Sequence, residues 1–127
     1  MAQEPERYMT AVEVLELELI VRDFLLVLNE GNDVDLHAFL AEDVSYRPSA
    51  YHRVQGRGAV MEMIHEIRSS FAEWRTRLVN IAVSGPVVLA ELEIVLALPQ
   101  KEPQCVMSFA SFRVEDMRIA AWHQLHA

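Results

Sequence analysis

The chain has 127 residues, 52% hydrophobic and 24% charged, so it contains enough apolar material for a folded core and lacks the composition of a disordered chain. Its net charge of −8 disfavours partners such as nucleic acid and anionic membranes. No apolar run reaches the roughly 20 residues that span a bilayer, the first residues lack a signal-peptide pattern, and Cys105 is the only cysteine. We therefore expect a cytoplasmic protein with a single domain over residues 1–127.

The first half of the chain has the pattern of three helices. Residues 10–29 carry apolar side chains at helical spacing, and Gly31 falls where a helix C-cap is expected, although part of this stretch also alternates like a strand. Residues 32–43 predict a short second helix, capped by Asn32 or Asp33. A brief strand ending at Pro48 and a polar loop follow, and residues 56–71 predict a third helix.

After residue 73 the hydrophobic period changes to two. Four strands are predicted, and their connections are short enough for hairpins: 73–83, 87–98, 104–114 and 117–127. Three helices followed by such a meander predict an α+β fold, in which the helices cover one face of a curved, mostly antiparallel sheet. This arrangement forms a cone-shaped half-barrel whose apolar interior suits a small ligand.

Two segments carry a family resemblance over nearly the whole chain. They are "FLLVLNEGNDVDLHAFLAEDVSYRPSAYHRVQGRGAVMEMI" and the closing "VEDMRIAAWHQLHA". With them the chain resembles the nuclear-transport-factor-2-like superfamily, within it the SnoaL-like polyketide cyclases and the limonene-epoxide-hydrolase-like group. The resemblance implies a cone-shaped pocket, acid–base chemistry on hydrophobic substrates, and dimerisation through the outer face of the sheet. Fold alone does not carry function.

The resemblance also assigns site residues, one position at a time. The epoxide hydrolases of this type use an Asp–Arg–Asp set, with a tyrosine and an asparagine that hold the water. Tyr46 matches the tyrosine, whereas Pro48 stands at the asparagine position. The last-strand motif Trp-Arg-Asp is here "WHQ", from Trp122 to Gln124, so the catalytic aspartate is replaced by Gln124.

In the epoxide hydrolases, the remaining Arg and Asp lie on the strand that corresponds to residues 87–98 of this chain. Two alignments of this strand are possible. Anchoring on "ALP" places Glu91 and Glu93 at these positions, whereas anchoring on "AE" places Leu92 and Ile94 there. Neither alignment restores the arginine. A one-residue slip moves every side chain of a strand to the other face. The direction of the two carboxylates therefore decides the chemistry.

The preceding hairpin leaves the same alternatives. A three-residue loop would pair Glu93 with Arg77 as a surface ion pair, and would leave Leu92, Ile94, Trp74 and Leu78 to line an apolar pocket. A two-residue loop would pair Glu93 with Leu78 and bring both to the pocket. There, two close carboxylates would repel each other, and the pKa of at least one would rise toward neutrality.

The leading hypothesis is a cofactor-independent acid–base enzyme, such as a cyclase, an isomerase or an epoxide hydrolase variant. Glu93 and Glu91 would be its acid–base pair, with Tyr46 and Gln124 as hydrogen-bonding residues. Further pocket residues would be Trp122, Leu78, Phe71, Ile67, Ser108, His126 and Phe24. No metal is expected, since no histidine pair has zinc-binding spacing. The expected partners are a small hydrophobic ligand and a second copy of the chain, bound through the outer sheet face.

The alternative hypothesis is a non-catalytic binding or dimerisation module with a degenerate site. The missing arginine and the glutamine at position 124 favour it. Glutamates that point inward on strand 87–98 would support the enzyme, and leucines that point inward would support the binding module.

Overall fold

The computed structural model describes residues 9–126, and its elements follow the predicted order. The helices are α1 (Ala11–Glu30), α2 (Asp33–Phe39) and α3 (Arg57–Ser69). The strands are β1 (Leu40–Ser49), β2 (His52–Gln55), β3 (Glu73–Ser84), β4 (Val87–Ala97), β5 (Gln104–Glu115) and β6 (Arg118–His126). Three helices pack on an open, six-stranded mixed sheet, which confirms the predicted α+β fold.

The helix ends are set by local hydrogen bonds. Thr10 caps α1 by accepting a hydrogen bond from the backbone N–H of Glu13 at 3.1 Å, and Gly31 ends the helix in the left-handed conformation (φ 75°), as predicted. Asn32 caps α2 in the same way. The prediction that this helix runs to residue 43 is wrong, because the backbone becomes extended at Leu40 and β1 begins there.

The sheet has the strand order β2-β1-β6-β5-β4-β3. Strands β3 to β6 form the predicted antiparallel meander, and β1 adds to it by pairing in parallel with β6. The polar segment predicted as a loop contains β2, which pairs with β1 through Tyr46 and Val54. The last strand was predicted to end at Ala127, which lies outside the described residues.

The core lies between the helices and one face of the sheet. Phe24 of α1 is fully buried there and contacts the Trp122 ring edge-on, with centroids 5.1 Å apart. Phe112 and Tyr46 stack against the same indole. Among residues 9–126, no helix is long and apolar enough to cross a membrane.

A bulge in β3 changes which of its residues lie opposite those of β4. The turn has two residues, Gly85 and Pro86, so Ser84 pairs with Val87. One extra residue, Val79, then shifts the register between Leu78 and Asn80. Beyond this bulge the pairing becomes the one that a three-residue loop would have produced.

Candidate functional site

The two glutamates of β4 lie on the outer face of the sheet. Arg77 pairs with Glu93 and donates from Nε to Oε2 at 3.0 Å, and Asn80 donates from Nδ2 to Oε1 of Glu91 at 3.0 Å. Leu92, which lies between the two glutamates, is buried in the core. The pocket-facing placement of Glu91 and Glu93 is therefore wrong. The regular alternation of β4 places both on one face, and Arg77 and Asn80 are their partners there.

The inner face of the sheet contains a small pocket of about 180 Å³. Strands β1, β3, β4 and β6 form it together with the end of α3, and its lining residues are Tyr46, Pro48, Ile67, Phe71, Trp74, Ile94, Leu96, Gln124 and His126. The pocket is smaller than the roughly 300–1,000 Å³ of sites for drug-sized ligands. Among the described residues, no aspartate, glutamate, lysine or arginine lines it. The site therefore suits a small uncharged molecule.

Tyr46 contributes a hydroxyl to this pocket. Its ring stacks on Trp122, with centroids 4.0 Å apart and planes inclined by 22°, so packing fixes its position. Burial raises the pKa of the Tyr46 phenol well above its ordinary value of 10. Within residues 9–126 the hydroxyl has no hydrogen-bond partner. At neutral pH it is thus a protonated donor available to a ligand.

Gln124 contributes an amide that is held in one orientation. Its Nε2 donates to Ser108 Oγ at 3.1 Å, and this hydroxyl in turn donates to the backbone oxygen of Leu125 at 3.2 Å. Because both groups are buried, rotating the amide would break this chain of hydrogen bonds. The Oε1 atom of Gln124 has no partner in the described part of the chain. It is therefore left to accept a hydrogen bond from a ligand.

His126 lies at the exposed rim of the pocket. Its Nε2 is 3.1 Å from the backbone oxygen of Pro48. A carbonyl oxygen only accepts hydrogen bonds, so Nε2 carries the proton in this contact. The bond connects the end of β6 to β1 and leaves Nδ1 as the second polar atom of the ring. Among residues 9–126, His126 is the only histidine that lines the pocket.

Comparison with known proteins agrees with this geometry. The family model of the SnoaL-like domain matches residues 21–122, which is most of the chain. The chain belongs to the SnoaL-like domain family. The sequence resemblance to this group is thereby confirmed. No match is found among curated proteins.

Solved structures share the fold of this SnoaL-like domain. An LEH-like epoxide hydrolase of M. tuberculosis has 21% identity and a TM-score of 0.80, and the match covers 91% of this chain and 85% of that one. A Xanthomonas campestris protein described as a polyketide cyclase has 23% identity and a TM-score of 0.76, over 90% and 92%. SalBIII, an epoxide hydrolase/cyclase-like enzyme of pyran ring formation in salinomycin, has 14% identity and a TM-score of 0.80, over 89% and 92%. At these identities the likeness shows the fold.

The remaining predicted residues of the SnoaL-like domain divide into two groups. Ile67 and Phe71 line the pocket, as do Tyr46, Gln124 and His126. The other four predicted pocket residues do not line it: Trp122, Phe24, Ser108 and Leu78. Trp122 and Phe24 lie deeper in the core and Ser108 lies behind Gln124, while Leu78 borders a separate groove between α1 and β3.

The leading site prediction missed four lining residues of the SnoaL-like domain: Pro48, Trp74, Ile94 and Leu96. The alternative prediction, in which the glutamates face outward, had placed Ile94 and Trp74 in the pocket lining. Trp74 is stabilised from behind by Arg68, whose guanidinium carbon is 5.8 Å from the ring centroid. Period-two alternation from buried Leu92 would have identified Ile94 and Leu96 on the correct register.

Proposed function

We propose that this SnoaL-like domain binds one small, neutral and largely apolar molecule in the inner pocket. The observation that carries the proposal is the lining itself, which combines apolar walls with the Tyr46 hydroxyl and the Gln124 amide and holds no charged group. Structures named as cyclases and epoxide hydrolases share the fold, and this supports a small organic ligand as the class.

The two polar groups narrow the ligand class further. Tyr46 offers a hydrogen-bond donor, and Gln124, oriented by Ser108, offers an acceptor. An alcohol or phenol satisfies both groups, because its hydroxyl accepts and donates at the same atom. A charged ligand would lose its hydration without gaining an ion pair, which is costly. We therefore expect hydroxyl-bearing ring compounds to bind better than their charged analogues.

A nuclear magnetic resonance titration with cyclohexanol, methylcyclohexane, cyclohexylamine and cyclohexane carboxylate tests this proposal. Cyclohexanol should shift the backbone amides of Tyr46, Ile94 and Gln124, and the two charged analogues should bind at least about tenfold more weakly. Gln124→Leu, which keeps the side-chain volume, should remove the preference for cyclohexanol over methylcyclohexane. Equal binding of the charged analogues, or shifts confined to other surfaces, would contradict the proposal.

A second candidate function is catalysis in the same pocket. The observation that favours it is the presence of His126 at the rim, because a neutral imidazole can act as a general base. An assay with small epoxides and enones distinguishes the two functions. Turnover by the wild type that is lost in His126→Gln, with cyclohexanol binding retained, would establish the enzyme. No turnover together with binding would establish the binding module.

We also propose a homodimer that forms through the outer face of the sheet. Large apolar side chains are half exposed on three neighbouring strands of this face: Leu89, Met107, Phe109 and Leu125. A contiguous apolar patch of this kind usually marks an interaction surface. Size-exclusion chromatography with light scattering should give a dimer, and Phe109→Glu should give a folded monomer. A monomeric wild type at high concentration would exclude this assembly.

We also propose that the protein is located in the cytoplasm, because its sequence contains a single cysteine. Cys105, the single cysteine, is exposed and cannot form an internal disulfide. Labelling in intact cells with a membrane-permeant and a membrane-impermeant thiol reagent tests it. Reaction with the permeant reagent alone is the expected result, and reaction with the impermeant reagent would exclude the location.

A further inference from the structure

Helix α1 carries an apolar stripe that faces solvent. Its members are Val12, Leu15, Leu19 and Leu26, with 64%, 54%, 47% and 60% of their surface exposed. Together with exposed Arg22 they are spaced alternately by three and four residues, which is the a/d spacing of a heptad. The buried residues of α1 point in the opposite direction, toward the sheet. The stripe is therefore not a part of the core of this chain.

The charges beside this stripe repeat with the same period. Glu16, Asp23 and Glu30 are exposed and seven residues apart, so they form one acidic row along a flank of the stripe. None of the three has an ion-pair partner among residues 9–126. Arg22 is the only cation of the helix. An acidic row that follows an apolar stripe presents the two features by which helices select helical partners.

The stripe also borders a groove of about 640 Å³ between α1 and β3, and the charged residues that line this groove are Arg22 and Asp23 of the helix and Arg75 and Arg77 of β3. Leu19 and Leu26 belong to both the stripe and the groove, and Leu78 of β3 lies on the far side. At the end of this groove, the Asn29 side chain connects the helix to β3. A helix seated on the stripe would therefore bury apolar surface on α1 and on the edge of the sheet together.

We propose that this stripe docks an amphipathic helix of another protein whose basic residues face Glu16, Asp23 and Glu30. A second copy of α1 fits poorly in either orientation. An antiparallel pair would set the acidic row against its own copy, and a parallel pair would set Asp23 near Glu18 of the second copy. Anionic lipid is disfavoured by the same charges. A helix with basic residues on the flank that meets the acidic row, and none on the flank over Arg75 and Arg77, satisfies both the stripe and the row.

A synthetic peptide of about three heptads, with leucine at a and d, lysine at e and glutamine at g, serves as the probe, and in an antiparallel pair its e positions meet the acidic row. Isothermal titration calorimetry with the full chain should give one site, and amide shifts should map to the outer side of α1. The double variant Leu19→Gln/Leu26→Gln should weaken binding by about tenfold or more. The matched control is Val34→Gln, because Val34 is 80% exposed on α2 and lies away from the stripe. Asp23→Asn should weaken binding and reduce its salt dependence.

Four outcomes would overturn the proposal. Equal binding of a scrambled peptide of the same composition would show that the interaction is charge attraction alone. Unchanged binding by the double variant would place the peptide elsewhere. Self-association that Leu19→Gln abolishes would make the occupant a second copy of the chain. Absence of peptide binding, with amide shifts in residues 1–8 on Leu19→Gln, would make the occupant the start of the same chain.

Discussion

The side chain of Asn29 in α1 takes the place of a neighbouring strand beside Thr76 in β3. Its Nδ2 donates to the Thr76 backbone oxygen at 2.7 Å, and its Oδ1 accepts from the Thr76 backbone N–H at 2.8 Å. Strand β3 is at the edge of the sheet, so these backbone groups have no strand partner on that side. An amide side chain that satisfies both of them also protects the edge from pairing with another chain.

Asn29→Ala should lower the free energy of unfolding by about 2 kcal/mol, because it removes two hydrogen bonds and leaves two partly buried backbone groups unpaired. Urea denaturation measures this change. The neighbouring exposed residue provides the control, since Glu30→Ala should change stability by less than about 0.5 kcal/mol. Equal stability of the two variants would show that water replaces the Asn29 amide at no cost.

Glu91→Gln and Glu93→Gln should leave cyclohexanol binding in the pocket unchanged, because both carboxylates lie on the outer face. The Arg77–Glu93 pair lies at the solvent-exposed surface, so its loss should change the stability little. Ile94→Ala on the same strand is the contrasting variant, since Ile94 is buried against the pocket and its truncation should cost about 2–4 kcal/mol. A binding defect in either glutamate variant would contradict the outward placement.

Ser108→Ala should reduce ligand selectivity without changing any residue that lines the pocket. The substitution removes the acceptor of the Gln124 amide, which is then free to turn its N–H groups toward the ligand. The preference for cyclohexanol over methylcyclohexane should fall, and stability should decrease by about 1–2 kcal/mol. Ser111→Ala, on the other face of β5, is the matched control and should retain the preference. Retained selectivity in Ser108→Ala would show that Ser108 does not orient the amide.

The stability of the protein should depend on pH through His123. Burial lowers the pKa of His123 below its ordinary value of 6.5, and the positive charges of Arg47, Arg53 and Arg113 lower it further. The unfolded chain then binds a proton more readily than the folded one. The lowered pKa of His123 therefore has no effect on stability above about pH 6.5. The free energy of unfolding decreases as the pH falls from there toward the pKa of His123 in the folded state.

Unfolding at pH 7.5 and pH 5.5 in the wild type and in His123→Gln measures this contribution. The variant should lose less stability than the wild type between the two values. His37→Gln is the control, since this histidine on α2 is exposed and belongs to a different element. An equal loss in the wild type and in His123→Gln would contradict the shift.

The order of the elements could be predicted because the sequence marks it locally. Gly31 ends α1 where the change of pattern indicates, and the strands from residue 73 onward alternate with a period of two. Strand β1 was harder to predict, since its first residues continue the helical spacing of α2. Its pairing with β6 joins distant parts of the chain, and no local pattern predicts such a contact.

The partner of Glu93 on β3 could not be predicted, because it depends on a single inserted residue. The hairpin has the two-residue turn, which on its own would have paired Glu93 with Leu78. The bulge at Val79 then restores the pairing of Glu93 with Arg77. A β-branched residue in a regular strand and one in a bulge look the same in sequence. The family resemblance provided the positions of Tyr46 and Gln124, and both residues line the inner pocket.

The parallel pairing of β1 with β6 has a consequence for the nascent chain on the ribosome. Pro48 and His126, which meet at the rim of the pocket, are 78 positions apart. Tyr46 likewise cannot form its stacking contact until Trp122 has been synthesised. A nascent chain whose helices and β1 have left the ribosome therefore has no complete pocket until β6 has been translated. An mRNA with a stop codon shortly before the codon for Trp122 should yield a product that binds no ligand. In this product, the face of α1 that packs on the sheet in the folded protein is exposed to chaperones.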